Sequence, residues 1–314
     1  MVGCRRLALL CCLVGSLLTP TAALAQSGII EVVRAAIAAR DLKNAEELAL
    51  RELARDPGHP EALAALSWAA RGALAARQFD VALRIARDTE RRMLPVIKAR
   101  AVDANPNLAI AIGAALEVQA QATAAQGNRS EAVHLLTQAL TRYGQTSIRA
   151  RLQKNVHLLS LVGKPMPALD AREHLGSVRF SPATAQGKPL LLFFWAHWCG
   201  DCKAMSAIVA KMQNEFTQKG LVVVAPTQRY GYIGARENVP AAEERRHIEA
   251  VRQQFYPSLA STPMPLAQEN FATWGVSTTP TLALVDRTGI VRLYNPGSMT
   301  EPALRGAVTA LLSR

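Results

Sequence analysis

Trp198-Cys199-Gly200-Asp201-Cys202 places two thiols three residues apart, just after the apolar run 190–196. A run of this length is typical of a buried strand, and the apolar residues that recur beyond it are spaced as in a helix. At such a junction one sulfur can lie exposed at the helix N-terminus while the other lies one turn in, close enough to form a bridge. The segment therefore indicates thiol–disulfide exchange.

Residues 1–25 have the pattern of a secretory signal peptide. Arginines at positions 5 and 6 precede an apolar stretch over 7–18, and Ala23-Leu24-Ala25 is a small-x-small cleavage pattern. The apolar stretch is short for a bilayer span, so we expect cleavage after Ala25, with an uncleaved anchor as the alternative. This predicts a periplasmic or secreted protein with no stable membrane span after cleavage.

Three of the five cysteines fall in that segment, so the mature chain is expected to hold only Cys199 and Cys202. A bridge between them closes too short a loop to gain much stability, which favours a chemical role over a structural one. Zinc needs four ligands, and no second CxxC, CxxH or HxxxH accompanies the pair. We predict no metal site and no cofactor beyond a redox-active disulfide; a soft-metal chaperone is a weaker alternative.

The net charge of +12 is spread over both halves of the 314-residue chain. No basic block alternates with aromatic residues, which disfavours nucleic-acid binding. The length allows two domains of ordinary size, each able to bury its own core.

Residues 28–160 carry apolar residues at helical spacing and few aromatics. This pattern predicts an all-α domain over 26–160 with six or seven helices. Breaks are expected at 56–58, near Pro95, at 105–106 and at 127–128, where proline, glycine or asparagine interrupts the pattern.

A weak internal repeat runs through this half of the chain. The segment 39–45 aligns with 76–82, and a third copy runs over 125–132. Residues 29–57 resemble a tetratricopeptide repeat, with small Ala45 and Ala49 on the second helix, although the aromatic residues of the first helix are missing and the period drifts. A plain helical bundle or a dimerisation domain is the alternative.

Gly163-Lys164-Pro165-Met166-Pro167 marks a boundary, because prolines end helices and favour extended backbone. Beyond it, over 161–314, strands and helices alternate in the order β-α-β-α-β-β-α. The predicted strands are 190–196, 221–225 and a hairpin of 281–286 with 290–294; the predicted helices are 202–219, 241–255, 267–274 and 301–312.

This order resembles the thioredoxin superfamily, because Phe194-Trp195-Ala196-His197-Trp198-Cys199-Gly200-Asp201-Cys202-Lys203 stands at its first strand–helix turn. Within the superfamily the chain is most similar to exported TlpA/ResA-like thiol–disulfide oxidoreductases. The boundary segment 163–167, the stretch 274–281 and the hairpin turn 286–289 match the same family. The resemblance covers about half of the chain and implies an α/β domain whose central mixed sheet is flanked by helices.

The chemistry places Cys199 at the helix start as the attacking thiolate and Cys202 as the thiol that resolves the mixed disulfide. The resemblance implies that Pro280 is cis and packs beside the cysteines, which would expose the backbone of Thr279 to an extended substrate. An ordinary strand-edge proline is the alternative. Trp198 is expected to form the apolar rim where substrate docks, with wall packing as its alternative role.

Several residues depart from the family pattern. Phe193 stands where thioredoxin has a buried acid, and Met205 stands where many TlpA-like chains have a glutamate, so the base for Cys202 is unassigned. Asp201 and His197 are candidates, and His197 is equally compatible with a surface position beside the site. Asp201 opposes thiolate formation whereas Lys203 favours it.

The stretch 229–240, with Tyr230 and Tyr232, has the composition of an insertion between a strand and a helix. It either borders the site and affects partner choice or is a solvated loop without a role.

We therefore expect an enzyme that reduces disulfides in protein substrates and is itself restored by a redox partner protein. A disulfide isomerase or oxidase is the second hypothesis, and a non-catalytic scaffold or chaperone that uses the helical domain is the third. The helical half is expected to bind a further protein partner.

Overall fold

A computed structural model describes residues 28–313. The predicted signal peptide and its three cysteines lie outside the described residues. Up to residue 160 the described chain is all helical. Its helices are α1 Ile29–Ala38, α2 Leu42–Arg55, α3 Pro60–Ala75, α4 Phe79–Ala99, α5 Pro106–Ala125, α6 Arg129–Tyr143 and α7 Arg149–Ser160.

Three of the predicted breaks are confirmed and one is wrong. The chain breaks between α2 and α3, before α5 and between α5 and α6, but α4 continues through Pro95 to Ala99. Proline removes one backbone hydrogen bond within a helix. Here Pro95 lies near the end of α4, and Val96 and Ile97 pack against the core beyond it. This packing offsets the lost bond.

The connections α1–α2, α3–α4 and α5–α6 share one turn geometry. Arg40, Arg77 and Gly127 each take a left-handed backbone conformation, with φ of 63°, 59° and 94°. In each turn the next amide donates to the carbonyl five residues before it: Asp41 to Ala36, Gln78 to Ala73 and Asn128 to Thr123. Such turns end helices by pairing their last carbonyls. The weak sequence repeat therefore corresponds to a repeated turn.

Helix α5 forms the centre of this array and packs against α3, α4, α6 and α7. Among the described residues, α5 is the one helix that is both long enough and apolar enough to cross a membrane. Within the protein, 72% of this apolar stretch is buried. Its small residues, such as Ala111 and Ala115, are fully buried and let neighbouring helices approach closely.

A buried carboxylate on α5 holds three cations from two neighbouring helices. Glu117 lies 2.7 Å from Lys154, 3.5 Å from Arg151 and 3.6 Å from Arg71. Burial raises the pKa of Glu117, but attraction to Lys154, Arg151 and Arg71 outweighs it, and the net pKa is lowered. This cluster ties α7 to the centre of the array.

The second half is an α/β domain built on a four-stranded mixed sheet. Its elements are β1 His174–Leu175, α8 Pro182–Ala185, β2 Leu190–Phe194, α9 Gly200–Phe216, β3 Val222–Val224, β4 Tyr232–Ile233, β5 Arg236–Glu237, α10 Ala241–Phe255, β6 Met264–Pro265, α11 Gln268–Thr273, β7 Thr281–Val285, β8 Val291–Pro296 and α12 Glu301–Leu312. The strand order is β3-β2-β7-β8, with β2 parallel to β3 and antiparallel to β7. The predicted fold class is confirmed for both halves.

Strand β2 is buried on both faces, as its continuous apolar sequence predicted. Leu191 and Phe193 lie in one core with α9 and α12, whereas Leu192 and Phe194 lie in a second core with Phe271 and Trp274. A strand covered on both sides presents successive side chains to opposite faces, so every position is apolar.

The sequence did not predict the short pairs β1–β6 and β4–β5 or the single-turn helix α8. Both pairs are antiparallel and only two residues long. Two residues carry no measurable periodicity, and β1 and β6 lie far apart in the chain, so local patterning contains no signal for them.

Candidate redox site

The two cysteines form a disulfide at the start of α9. The S–S distance is 2.03 Å and the Cα atoms are 5.2 Å apart. Cys199 is the N-cap of α9, and its Sγ accepts a hydrogen bond of 3.0 Å from the amide of Cys202. Unpaired amides at a helix N-terminus favour negative charge, so this position suits a thiolate at Cys199 after reduction.

Both sulfur-bearing residues are buried. Cys199 is 3% exposed and Cys202 is fully buried. The expected exposure of one sulfur at the helix start is therefore wrong for this oxidised form. The two residues lie in the core formed by β2, α9 and neighbouring elements.

The turn between β2 and α9 is fixed by its own backbone and by buried aromatic side chains. The amide of Cys199 donates to the carbonyl of Ala196. Trp195 is fully buried, donates its indole N–H to Ala225 and stacks on Tyr256 with ring centroids 4.5 Å apart. Trp195 is therefore a core-packing residue.

The Thr279–Pro280 peptide bond is cis, as the resemblance implied. Thr281, the first residue of β7, pairs with Phe194, the last residue of β2. Because Pro280 precedes that pair and the cysteine turn follows it, the cis bond and the disulfide lie at the same edge of the sheet. Pro280 is also held by its own carbonyl, which accepts from the amide of Gly297 at 2.8 Å.

Trp198 is the exposed member of the motif, with 49% of its surface accessible. Its ring meets Tyr230 edge-on at 5.5 Å, so one side is covered by the stretch 229–240 while the other remains open. This position suits an apolar rim beside Cys199.

His197 is buried rather than placed on the surface. Burial and the neighbouring His247 lower its pKa to about 4, whereas the carboxylate of Glu244 acts in the opposite direction and Lys203 adds to the lowering. Its Nε2 lies 3.6 Å from Oε1 of Glu244 and has no hydrogen-bond partner within the described residues. Near neutral pH the imidazole is therefore uncharged.

Glu244 is the residue of this site that sequence reasoning missed. From the first turn of α10 its carboxylate accepts hydrogen bonds from the amides of Tyr230 at 2.5 Å and Gly231 at 2.9 Å. It stands 47 positions after His197, on a helix rich in charged residues whose pattern resembles a solvated face. A glutamate on the buried side of that amphipathic pattern was the available signal.

The stretch 229–240 is ordered by hydrogen bonds at several points. Arg229 forms a bidentate pair with Glu173, at 2.7 and 2.8 Å, and β4 pairs with β5. The amide of Val239 donates to the carbonyl of Gly231. Together with Glu244, these contacts place Tyr230 against Trp198, so the stretch borders the disulfide.

The remaining candidates lie on or beside α9. Asp201 is exposed in its first turn, and Lys203 is partly buried with its ammonium 3.8 Å from the ring centre of Phe255. Phe193 and Met205 are buried in the apolar core beside the disulfide. The buried carboxylate adjoining the cysteine turn therefore comes from Glu244, because Phe193 and Met205 supply no acid there.

Within residues 28–313, no group of three or more histidine, cysteine or acidic side chains is arranged to hold a metal ion.

Comparison with known proteins agrees with this geometry. A family model described as a thioredoxin-like domain matches residues 178–311. The thiol:disulfide interchange protein DsbE of Xylella fastidiosa is 26% identical over 155 residues, which are 49% of this chain and 71% of that protein. The thioredoxin-like protein YneN of Bacillus subtilis is 27% identical over 129 residues, or 40% of this chain and 67% of that protein.

Among solved structures, a putative thiol:disulfide interchange protein DsbE from Chlorobium tepidum is 24% identical, with a TM-score of 0.37. The match covers 48% of this chain and 99% of that chain.

The sheet, the disulfide at the helix start and the family model define a thioredoxin-like domain in the C-terminal half of the chain. The protein is a thiol–disulfide oxidoreductase, with homologues among the thiol:disulfide interchange proteins.

Proposed function

We propose that this enzyme is an exported, TlpA/ResA-like oxidoreductase that reduces disulfides in protein substrates. The observation that carries the proposal is the Cys199–Cys202 bridge at the start of α9, at the same sheet edge as the cis Thr279–Pro280 bond. The first feature supplies a dithiol that cycles between two states, and the second supplies backbone beside it for an extended substrate segment.

In the proposed reaction the Cys199 thiolate attacks one sulfur of a substrate disulfide. The substrate S–S bond breaks, one substrate sulfur leaves as a thiolate, and a mixed disulfide forms on Cys199. Cys202 then loses its proton and attacks Cys199 Sγ, which closes the bridge and releases the second substrate sulfur. Two electrons pass to the substrate, and a redox partner protein returns two electrons and two protons to the enzyme.

We keep both His197 and Asp201 as candidate bases for Cys202. The lowered pKa of His197, about 4, keeps the imidazole neutral near pH 7 but makes it a weak proton acceptor. Asp201 is exposed to solvent. Lys203 has a tuning role in this proposal, through its charge near His197.

One charge beside the cysteines supports a reductant. Asp201, in the first turn of α9 that Cys199 caps, opposes a thiolate at Cys199, and a less stable thiolate makes the dithiol a better reductant. The ammonium of Lys203, which would favour the thiolate, rests over Phe255.

An exported location and a tetratricopeptide-like array complete the proposal. The signal-peptide pattern of residues 1–25 supports export. Repeated helix pairs present extended surfaces to protein partners, and the three equivalent turns support a repeat origin for the array. We assign a further protein partner to that array.

Two measurements test the direction and the mechanism. Equilibration with a thiol–disulfide buffer should give a midpoint near that of thioredoxin, about −270 mV, and a value near about −120 mV would make the protein an oxidant. Cys202→Ser should trap substrates of the exported compartment on Cys199. The double variant Cys199→Ser with Cys202→Ser is the control, and equal capture by both proteins would overturn the exchange mechanism.

A further inference from the structure

Helix α7 of the helical array touches the segment that leads to the cis bond. A Cβ added at Gly275 would lie 2.3 Å from the backbone N of Lys154 and 2.6 Å from the backbone C of Gln153. Such distances are far inside van der Waals contact, so the two backbones meet without room for a side chain. Gly275 also has a φ of +64°, which favours glycine.

Polar contacts reinforce this apposition. The Nε2 of His157 donates to the carbonyl of Thr273 at 3.0 Å, and the ring of His157 packs edge-on against Tyr294 at 5.6 Å. The Tyr294 hydroxyl in turn lies 2.9 and 3.0 Å from the carbonyls of Trp274 and Gly275. One residue of α7 thus contacts both the end of α11 and the strand that supports it.

The opposite side of α7 is fixed to the array. The backbone of Lys154 meets Gly275, and the Lys154 ammonium lies 2.7 Å from the carboxylate of Glu117 on α5. Asn155 of α7 accepts a hydrogen bond of 2.7 Å from Gln121, which also lies on α5. A displacement of α7 would therefore break contacts on both sides.

The connection after α7 is also bound to the sheet domain. The amide of Gly163 donates to Val291 at 2.8 Å, and the amide of Val291 donates to Lys164 at 2.9 Å. The amide of Met166 donates to Gly289 at 2.9 Å. These three bonds hold the boundary segment against the β7–β8 hairpin.

Only a short, hydrogen-bonded stretch separates Gly275 from Pro280. The amide of Ser277 donates to the carbonyl of Gly275, and the hydroxyl of Thr281 donates to the carbonyl of Thr278 at 2.7 Å. A shift of Gly275 would therefore be transmitted to the backbone of Thr279.

We propose that α7 is a positioning element of the redox site: by its contact with Gly275 it holds the Thr279–Pro280 segment in the conformation that pairs with an extended substrate. The inference rests on the proposed function, in which that segment binds substrate backbone. The helical half then contributes to the affinity of the redox half for peptides without touching the substrate there.

The test compares two reagents that share a leaving group. One is a peptide whose cysteine forms a mixed disulfide with thionitrobenzoate, and the other is dithiobis-nitrobenzoate, which has no peptide backbone. In both reactions the Cys199 thiolate attacks, a new S–S bond forms and thionitrobenzoate leaves as a coloured thiolate. Saturation with the peptide measures backbone pairing, whereas the small reagent measures thiolate reactivity.

The variant is Gly275→Ala in the full chain, and its matched control is Gly289→Ala. Both glycines have positive φ, but an added Cβ at Gly289 meets nothing within 4 Å. We expect Gly275→Ala to raise the half-saturating peptide concentration about tenfold, since small misplacements of a binding group are costly. The rate with the small reagent should change by far less, and the control should match the wild type with both reagents.

His157→Phe covers the case in which Gly275→Ala fails to fold. This variant keeps a ring against Tyr294 but removes the donor to Thr273. We expect it to raise the half-saturating peptide concentration by less than Gly275→Ala does, again with little change in the rate with the small reagent. If both folded variants treat the peptide as the wild type does, the inference is overturned. If the wild type itself shows no saturation with the peptide, the proposed substrate pairing fails instead.

Discussion

Nε2 of His197 lies 3.6 Å from Oε1 of Glu244, and the two side chains are 2% and 1% exposed. The same carboxylate accepts the amides of Tyr230 and Gly231. One buried acid therefore connects the cysteine turn to the segment that covers one side of Trp198.

Replacing Glu244 by glutamine should destabilise the oxidised protein. An amide oxygen can accept one of the two backbone bonds, but the amide nitrogen cannot accept the other, which leaves a buried N–H unpaired. We expect a loss of about 1–3 kcal/mol in the free energy of unfolding, measured by urea denaturation. The adjacent Glu243→Gln, which removes an exposed partner of Arg236, is the control and should change little. Equal stability of Glu244→Gln and wild type would contradict this assignment.

The depressed pKa of His197 should make stability depend on pH. In the unfolded chain a histidine titrates near about 6.5, whereas in the folded protein His197 titrates at about 4. The unfolded state therefore binds more protons between these values, so stability is fully present above about pH 6.5 and is lost as the pH falls towards 4.

Between about pH 6.5 and pH 4, His197→Gln should lose less of its free energy of unfolding than the wild type does. The difference should be up to roughly 3 kcal/mol. Urea denaturation at several pH values measures it. His134→Gln is the control, because His134 is exposed on α6. Identical pH dependence of wild type and His197→Gln would show that the imidazole does not titrate differently in the two states.

Replacing Glu117 by glutamine should destabilise the array strongly. Lys154, Arg151 and Arg71 would lose the carboxylate that offsets their burial, and breaking a buried pair from one side costs about 3–5 kcal/mol. Urea denaturation measures the loss. The exposed pair of Glu47 and Lys43, at 3.9 Å, offers the control, and Glu47→Gln should cost no more than about 0.5 kcal/mol. A loss of similar size in both variants would be against the expected role of the cluster.

Two threonines beside the cis bond should respond in opposite ways to valine. The Thr279 hydroxyl is buried without a hydrogen-bond partner in the described part of the chain, so Thr279→Val should keep or raise stability by about 1 kcal/mol. The Thr281 hydroxyl donates to Thr278 at 2.7 Å, so Thr281→Val should lose about 1 kcal/mol. Thermal unfolding measures both, and a marked loss in Thr279→Val would indicate a hydroxyl with a structural bond.

The local parts of this fold could be predicted from sequence because their signals are contiguous. The apolar run that became β2, the cysteine turn and α9 follow one another directly, and α10 and α12 have the predicted bounds 241–255 and 301–312. The repeated turns at Arg40 and Arg77 were visible as an aligned pair of segments.

The parts that sequence did not reveal depend on contacts between distant residues. Glu244 meets His197 across 47 positions, and Gly275 meets Lys154 across 121. A charged amphipathic pattern does not specify which acid turns inward, and a glycine after a short helix reads as an ordinary stop signal. At Pro95 local rules predicted a helix break that does not occur, because tertiary packing keeps α4 intact there.

The backbone contact at Gly275 also bears on modularity. Transplanting the redox half onto another repeat array, or removing the array altogether, would uncover Gly275 and the carbonyl of Thr273 that α7 now satisfies. Any substitute array would have to supply a helix at the same distance and a donor where His157 stands. During evolution, insertions between the two halves would therefore be tolerated far less well here than at an ordinary flexible linker.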